Sequence, residues 1–548
     1  MASRVAVLAA AAAAAVAVGG GVLAAPAASA SSDRSKGPEV VGGFRHIVVV
    51  YEENHSFDNL YGTWGKVGSD RVEGLSSATA AHTVQVGQDG TPFGCLLQKD
   101  VNLTSPTPLA SSCTDTAHGI AASAFTNAPF VIDSYISPSD TTCFPPTPGV
   151  FSPANGVPKG QGVAGGCTRD LVHRFYQEQY QLDGGKQDRY TVGSDAAGLT
   201  QGVYDTTALP IYTYLHGKGA PKYVIADHFF QAAFGGSFLN HQYLVAARAP
   251  VDTAAGPGGA DAGLHSIVDA NGFPNAGYPL YTPATTVKDA QLTQACLTGQ
   301  NVGANPNVAC GDYAVNTMQP VNGPFGGGAK LPAIDDTVYP NIGDRLTDAG
   351  VSWNWYSGGW DAAEAATPGP LFQFHHQPLA YFANYAPGQP GRAHLQDETK
   401  FLAAARTGTL PTVSFVKPYG LENEHPGYAS EATGSDHLVE LLKAITTGPQ
   451  AEDTLVVVTY DEFGGQWDHV SPPGPGSTTK GVYDAFGPGT RIPALLVSKA
   501  FDRSGVDHTV YDTTSILATI ERGLHLAPLS SRDAKVADLR KAVKVGDR

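Results

Sequence analysis

The chain has 548 residues, a formal net charge of −16 and only 15% charged residues, while Gly (64) and Pro (39) are abundant. It contains no run of five or more Lys and Arg, so this acidic chain is a poor candidate for binding nucleic acid or anionic lipid through charge. A hydrophobic share of 42% argues against disorder and favours a loop-rich, well-packed protein.

The N-terminus has the pattern of a secretory signal peptide over residues 1–30. Arg4 precedes an Ala-rich apolar run over 5–25, and "APAASA" supplies the small residues of a cleavage site. A membrane anchor is the alternative, but the run is weakly hydrophobic and contains "GGG". We therefore expect a secreted, extracellular protein without a stable membrane anchor, in which residues 31–548 form one large domain.

Short β-branched runs recur along the chain, each bounded by turn residues: 46–51, 223–230, 351–357, 412–418, 454–460 and 492–498. Runs that are apolar on both faces are typical of central strands in a sheet that helices cover on both sides. Helical periodicity lies between them, as at 435–447 and 512–524, where Asp512 or Thr513 can cap the helix start. Strands that alternate with helices indicate an α/β architecture.

Two Gly- and Pro-rich stretches, about 65–170 and 250–330, interrupt this alternation and contain all the cysteines. We interpret them as insertions in one domain, because neither has a sustained periodic pattern. Six cysteines in a secreted chain favour disulfides, which can form in 15 connectivities. Our preferred pairing joins sequence neighbours: Cys95 with Cys113, Cys143 with Cys167, and Cys296 with Cys310.

Acidic residues follow two of the predicted strands. The first strand leads into Glu53 and Asn54, and the strand at 454–460 leads into Asp461 and Glu462. Ligands of α/β sheets bind beyond the carboxyl ends of strands, so parallel neighbours would bring these groups together. Such a cluster repels itself unless a cation lies among the oxygens. Oxygen ligands favour Ca²⁺, Mg²⁺ or Mn²⁺, and Zn²⁺ or iron is also compatible; helix caps or solvated turns are the alternative interpretation.

A candidate nucleophile lies in "FFQAAFGGSFLNHQYLVAA", residues 229–247. Gly235 and Gly236 allow a sharp turn or a close backbone approach, and Ser237 follows at the start of a predicted helix. An ordinary helix-capping serine is the alternative interpretation. Asn240 and His241 lie three and four positions after the serine, on the same helical face.

Three motifs together resemble a known family: "EENHSFDNLYG", "FGGSFLNHQYL" and "TYDEFGGQWDHVSPP". They are similar to the signature stretches of the bacterial phosphoesterase family of AcpA-type acid phosphatases and phosphatidylcholine-hydrolysing phospholipases C, a branch of the alkaline phosphatase superfamily. The resemblance spans about residues 44–530. It implies an alkaline-phosphatase-like α/β fold with a central, mostly parallel sheet flanked by helices and with disulfide-stapled insertions.

The resemblance also implies roles for the motif residues. Glu53, Asn54, Asp461 and Glu462 would bind a divalent metal ion, and Ser237 would be both a metal ligand and the nucleophile. The family's pocket histidines, which hold phosphoryl oxygens or protonate the leaving group, correspond to His173, one of His375 and His376, and His425. The roles of Asp468 and His469 stay open.

The implied activity is that of a secreted, metal-dependent acid phosphatase that works through a phosphoseryl intermediate. The alternative within the family is a phospholipase C that cleaves phosphatidylcholine, for which the aromatic run at 353–360 could cage the quaternary ammonium group or simply pack along a strand. A secreted metal- or phosphate-binding protein without catalysis is a third hypothesis. The partner is thus a small phosphate ester or a phospholipid head group, and the sequence leaves the oligomeric state open.

Overall fold

The computed structural model of the chain describes residues 38–98, 100–104, 107–147, 156–251, 313–315, 317–324 and 330–547. The predicted signal peptide and the predicted Cys296–Cys310 disulfide lie outside these residues. Among the helices of the described part, none is both long and apolar enough to cross a membrane.

The central feature of the fold is an eight-stranded sheet. In chain order its strands are β1 (His46–Glu52), β2 (Lys222–Ala226), β3 (Trp353–Ser357), β4 (Leu395–Asp397), β5 (Val413–Lys417), β6 (Thr454–Tyr460), β7 (Ala494–Ser498) and β8 (Gly505–Asp507). Across the sheet they follow the order β4-β3-β5-β1-β6-β7-β2-β8. Only β7 runs antiparallel to its neighbours, so the prediction of a central, mostly parallel α/β sheet is confirmed.

The apolar run of β1 lies between β5 and β6. Val50 is opposite Val416 on one side and Val458 on the other, and all three side chains are buried. Because these three strands are parallel and in this register, their carboxyl ends lie side by side at one edge of the sheet.

Helices cover the sheet and connect its strands. The α-helices of the described residues are Phe57–Tyr61, Ala80–Thr83, Val101–Thr104, Phe175–Leu182, Pro210–Leu215, Ser237–Ala246, Ile342–Asp348, Trp360–Glu364, Glu398–Thr407, Glu431–Thr446, Thr514–Gly523 and Arg540–Gly546. The two predicted helices are both present. At the start of the second, the Asp512 carboxylate accepts a hydrogen bond from the backbone N–H of Thr514 (2.8 Å).

The predicted run at 223–230 is not one strand. It breaks after Ala226, and Phe229–Phe230 pairs with Tyr511–Asp512 in a separate small sheet. The edge strands β4 and β8 were not predicted, because three residues are too few to carry a periodic pattern.

The first predicted insertion consists mainly of short elements and loops. Small two-stranded sheets pair Lys66–Val67 with Asp70–Arg71, Cys113–Asp115 with Ile120–Ser123, and Phe130–Val131 with Gly202–Val203; another pairs Gln319–Pro320 with Lys330–Leu331. Disulfides join Cys95 to Cys113 and Cys143 to Cys167, which confirms two of the three preferred pairings.

Candidate active site

Three adjacent strands deliver charged side chains to one edge of the sheet. Glu53 and Asn54 follow β1, Asp461 and Glu462 follow β6, and Lys417 is the last residue of β5. All five are buried, with exposures of 0% or 1%. The two acidic corners lie in contact, since the backbone N–H of Asn54 donates to Asp461 Oδ1 (3.3 Å). The carboxyl-edge rule thus correctly predicted where these groups meet.

Ser237 reaches this edge from the first turn of the helix Ser237–Ala246. Gly235 has φ +87°, and a Cβ there would lie 2.6 Å from the backbone nitrogen of Phe175, so the turn requires glycine. Asn240 fixes the same turn, because its side chain accepts a hydrogen bond from Ala233 N (2.9 Å) and donates to the Gly235 carbonyl (3.2 Å). These contacts fix the turn that precedes the serine and so the position at which the helix begins.

The hydroxyl of Ser237 faces three acceptor oxygens. Its Oγ lies 3.5 Å from Glu53 Oε2, 3.4 Å from Asn54 Oδ1 and 3.4 Å from Glu462 Oε1. A hydroxyl has one proton, so it can satisfy at most one of them. Oxygens gathered this way without hydrogens between them are the arrangement that a cation requires.

Asp461 and Glu462 are fixed by backbone donors on one side only. Asp461 Oδ1 also accepts from Glu462 N (2.8 Å), and Glu462 Oε2 accepts from Gly464 N (2.6 Å). Gly464 has φ +64°, and a Cβ there would lie 2.3 Å from the Asn54 carbonyl oxygen. The other oxygen of Asp461, Oδ2, is buried without a hydrogen-bond partner. This orphaned oxygen is consistent with a ligand position.

The three buried acids, Glu53, Asp461 and Glu462, all have shifted pKa values. Burial and the neighbouring Glu53 raise the pKa of Asp461 to about 8. Burial and Asp461 likewise raise the pKa of Glu462. Burial opposes ionisation of Glu53 as well, but Lys417 and His376 hold its pKa well below the ordinary value. One lysine cannot balance three carboxylates, so a divalent cation fits this site.

The donor set indicates which cations fit. Glu53, Asn54, Asp461, Glu462 and Ser237 offer only oxygen atoms, which favours Ca²⁺, Mg²⁺ or Mn²⁺. Imidazoles that lie beside these oxygens keep Zn²⁺ and iron compatible with the site.

All the predicted histidines lie around this cluster. His173 Nε2 is 3.4 Å from Glu462 Oε1, His376 Nε2 is 2.7 Å from Glu53 Oε1, and His425 Nε2 is 3.7 Å from Glu53 Oε2. His375 packs against the His376 ring, with ring centroids 4.7 Å apart. Of the two candidates at 375 and 376, it is therefore His376 that contacts the acids. The roles of these residues as ligands and catalytic groups stay predictions.

His425 sets the orientation of Asn54. Its Nδ1 donates to the Pro426 carbonyl (2.7 Å), so its Nε2 is an acceptor in the neutral ring and receives the Asn54 amide (3.0 Å). This bond directs the amide nitrogen away from Ser237 and leaves Asn54 Oδ1 facing the serine. In this geometry His425 orients a metal-ligand candidate.

Sequence reasoning missed Lys417, and it placed His241 only on the helical face of Ser237. Lys417 Nζ lies 2.7 Å from Glu53 Oε1 and donates to the Glu52 carbonyl (3.0 Å). A lysine at the end of a predicted apolar strand was the available signal, since the carboxyl-edge rule applies to it equally. His241 Nδ1 donates to the Ser237 carbonyl (2.7 Å), and its ring stacks on His376 at 5.4 Å.

Asp468 and His469, whose roles the sequence left open, belong to a different cluster that we call the Arg491 network: Asp58, Asp468, His469 and Arg491. Arg491 binds Asp468 Oδ1 (3.0 Å) and Asp58 Oδ1 (3.1 Å). Asp58 Oδ2 accepts the backbone N–H of His469 (2.8 Å). The network ties the helix after Asn54 to the loop after Glu462, and so holds the two acidic corners together.

The aromatic run at 353–360 forms core, not a cage. Trp353, Trp355, Tyr356 and Trp360 are at most 3% exposed. Trp355 stacks on Phe415 and its Nε1 donates to the His376 carbonyl (2.8 Å). The packing interpretation of this run is therefore correct. Through Trp355 the run also supports the backbone at His376.

Comparison with known proteins gives a consistent result. The model of the Phosphoesterase family matches residues 44–527. Phospholipase C B of Mycobacterium tuberculosis is 26% identical over 416 residues, which is 70% of this chain and 65% of the relative. The non-hemolytic phospholipases C of Burkholderia pseudomallei and Pseudomonas aeruginosa are 31% and 28% identical, each over 34% of this chain and over 31% and 29% of the relative. The chain thus spans less than two thirds of the length of these relatives.

Among solved structures, a protein of the alkaline phosphatase superfamily from Vibrio parahaemolyticus matches 35% of this chain and 50% of its own. The identity is 14% and the TM-score is 0.20, a level from which no common fold follows.

Proposed function

Because this chain belongs to the phosphoesterase family, we propose that it is a metal-dependent phosphoric ester hydrolase with Ser237 as its nucleophile. The observation that carries the proposal is the set of three acceptor oxygens at 3.4–3.5 Å around Ser237 Oγ. A divalent cation bound by these oxygens would lower the pKa of the serine hydroxyl and offset charge on the phosphoryl oxygens.

The chain's own residues supply the remaining steps. Ser237 Oγ attacks phosphorus, the bond to the ester oxygen breaks, and a phosphoseryl group forms. His173 is the histidine best suited to protonate the leaving oxygen, because its side chain is 18% exposed while the other pocket histidines are nearly closed off. Its Nδ1 donates to the Leu171 carbonyl, so Nε2 has no proton in the neutral ring. Nε2 therefore takes the proton of the Ser237 hydroxyl as Oγ attacks, and passes that proton to the leaving oxygen. The same nitrogen then takes a proton from the water that hydrolyses the phosphoserine.

Two neighbours keep this arrangement in place. Lys417 holds Glu53 ionised, and His425 holds the oxygen of Asn54 toward the serine. Lys417 acts on the charge of Glu53 and His425 acts on the orientation of Asn54, so neither needs to contact the substrate.

Replacement of the nucleophile tests the proposal. Ser237→Ala should lower turnover by ~10³-fold or more while the fold and metal content persist. Ser430→Ala is the matched control, because Ser430 is also a buried serine at a helix start and accepts a bond from Thr433 N (3.0 Å). The control should lose about 1 kcal/mol of stability and retain activity. Substantial phosphatase activity in Ser237→Ala would reject the assignment.

For the substrate, we propose a phosphomonoesterase of the acid phosphatase type, supported by the resemblance of "FGGSFLNHQ" and "FHHQP" to that branch. Phospholipase C activity on phosphatidylcholine is the second candidate, which the names of the relatives favour. The buried aromatic run removes one feature that supported it. Hydrolysis of a soluble aryl phosphate and of short-chain phosphatidylcholine by one preparation would separate the two: faster release from the monoester supports the first, and faster release of phosphocholine supports the second.

We further propose that the mature protein, residues 31–548, acts outside the cell as one phosphoesterase domain. The two disulfides support an oxidising compartment, and the family match covers most of this range. N-terminal sequencing of the protein from culture medium, with a start at residue 31, would test it; retention in the cytoplasm would contradict it.

A further inference from the structure

A second set of metal-ligating side chains lies at the same sheet edge, three strands away from β1. Asp227 and His228 follow β2, and His508 follows the adjacent parallel strand β8. With strands spaced ~4.8 Å apart, this cluster lies ~15 Å from the acidic corner of β1. It is therefore a separate location from the candidate active site, and the proposed reaction does not use it.

The three side chains converge on one point. Asp227 Oδ1 lies 2.9 Å from His508 Nδ1 and 3.2 Å from His228 Nδ1. One ligand atom from each of the three lies within 4.8 Å of the other two. Ligands at ~2.0–2.1 Å from a tetrahedral Zn²⁺ are ~3.3 Å apart, so these separations need little adjustment to hold an ion.

The surroundings orient the ligands in the way that metal sites require. Glu73 Oε2 lies 3.4 Å from His228 Nε2, on the far side of the ring from Asp227. A carboxylate there favours the tautomer with the proton on Nε2, in which the Nδ1 lone pair faces Asp227 Oδ1 at 3.2 Å and can bind a metal between them. The backbone N–H of Glu73 donates to Asp227 Oδ2 (2.8 Å), which fixes the carboxylate. In this position Oδ1 faces both imidazoles, and Oδ2 also lies 3.0 Å from His508 Nδ1.

Burial is graded across the cluster. The Asp227 side chain is fully buried, that of His228 is 15% exposed, and that of His508 is 55% exposed. An ion can thus enter from solvent past His508 and keep water in its remaining position. Two imidazole nitrogens with one carboxylate select a borderline transition ion over Ca²⁺ or Mg²⁺.

From this geometry we propose that Asp227, His228 and His508 form a second metal site, for a divalent transition ion of the Zn²⁺ class. The site is linked to the Arg491 network, since Arg491 Nη1 donates to the carbonyls of Asp227 (2.9 Å) and Glu73 (2.6 Å). Occupancy therefore stabilises the fold by clamping the ends of β2 and β8 to the segment that contains Glu73.

The test uses the full mature chain, freed of metal with a chelator and dialysed against Zn²⁺. We expect the double variant H228A/H508A to bind one Zn²⁺ fewer per chain than the parent and to show a smaller Zn²⁺-dependent rise in Tm. His508→Gln, at a half-exposed position that tolerates change, should weaken binding at this site by more than ~10-fold. His525→Ala, which removes an exposed histidine elsewhere, should bind as the parent does.

Co²⁺ gives a second readout, because imidazole ligands and low coordination produce visible absorption. That absorption should persist in Glu53→Gln, which alters only the first site, and disappear in H228A/H508A. The proposal is overturned if the double variant and His508→Gln keep the parent's Zn²⁺ count and affinity, or if Glu53→Gln alone removes all bound transition metal.

Discussion

Two buried charged clusters lie next to each other in this protein. They differ in how many of their carboxylates have a partner of opposite charge or a hydrogen-bond donor. In the Arg491 network, Asp58 and Asp468 are matched by Arg491 and by backbone N–H groups. Around Ser237, the carboxylates of Glu53, Asp461 and Glu462 meet one lysine, and Asp461 Oδ2 has no hydrogen-bond partner. Buried acids that are paired need no further ligand, whereas a buried carboxylate oxygen without a partner is consistent with a position that binds one.

The largest contrast should come from one histidine in each cluster. His173→Gln should lower turnover of esters with poor leaving groups by ~10²–10⁴-fold, because the proton donor is lost, and should leave Tm nearly unchanged. His469→Gln, in the Arg491 network, should lower Tm more than it lowers turnover. The loss in His173→Gln should shrink for aryl phosphates, whose leaving groups need no proton. An equal loss for both ester types would exclude His173 as the proton donor.

A buried carboxylate in the Arg491 network should cost stability when it is removed. Asp468→Ala leaves Arg491 without its main partner and should destabilise the fold by about 3–5 kcal/mol in denaturant unfolding. A loss below about 1 kcal/mol would show that the network does not hold the two acidic corners together.

The matched change in the cluster around Ser237 should have the opposite sign. Glu462→Gln removes one of three mutually repelling acids, so the chelator-treated protein should be as stable as the parent or more stable. Its affinity for the divalent cation should fall by ~100-fold, measured by metal content after dialysis. Marked destabilisation in the presence of chelator would mean that Glu462 is paired in the metal-free protein.

A third buried acid, Glu431, should give an effect on stability that depends on pH. Burial raises the pKa of Glu431 to about 8, and its Oε1 accepts a hydrogen bond from the Tyr204 hydroxyl (2.6 Å). The folded state therefore keeps a proton that the unfolded chain releases above pH ~4.5. Between that pH and about 8, this group should cost up to about 1.4 kcal/mol of stability per pH unit.

Glu431→Gln checks that slope. It should flatten the fall of stability between those pH values and leave acidic conditions nearly unaffected, as read from urea unfolding at a series of pH values. Parallel curves for parent and variant would place Glu431 in its charged form.

Much of this arrangement could be predicted from strand patterns. The runs at 46–51 and 454–460 are apolar over their whole length, so their central position and the meeting of their acidic ends followed from one rule. The Gly-Gly turn before Ser237 was likewise visible, because it needs a residue that tolerates positive φ.

What the sequence could not predict depends on contacts between distant segments. Arg491 and Asp58 are more than 400 positions apart, and neither lies in a pattern that indicates a partner. The antiparallel direction of β7 has no local signal, since its apolar run would suit either direction. The choice between His375 and His376 is decided by the contact of His376 with Glu53, which lies in a distant part of the sequence.

Diffraction from crystals grown with Mn²⁺, recorded at the manganese absorption edge, would locate the cation among the acids. We expect one anomalous peak within ~2.0–2.6 Å of oxygens from Glu53, Asn54, Asp461 and Glu462, with Ser237 Oγ as a further ligand. Active protein whose crystals show no peak among these oxygens, or a peak that excludes Ser237, would contradict this expectation.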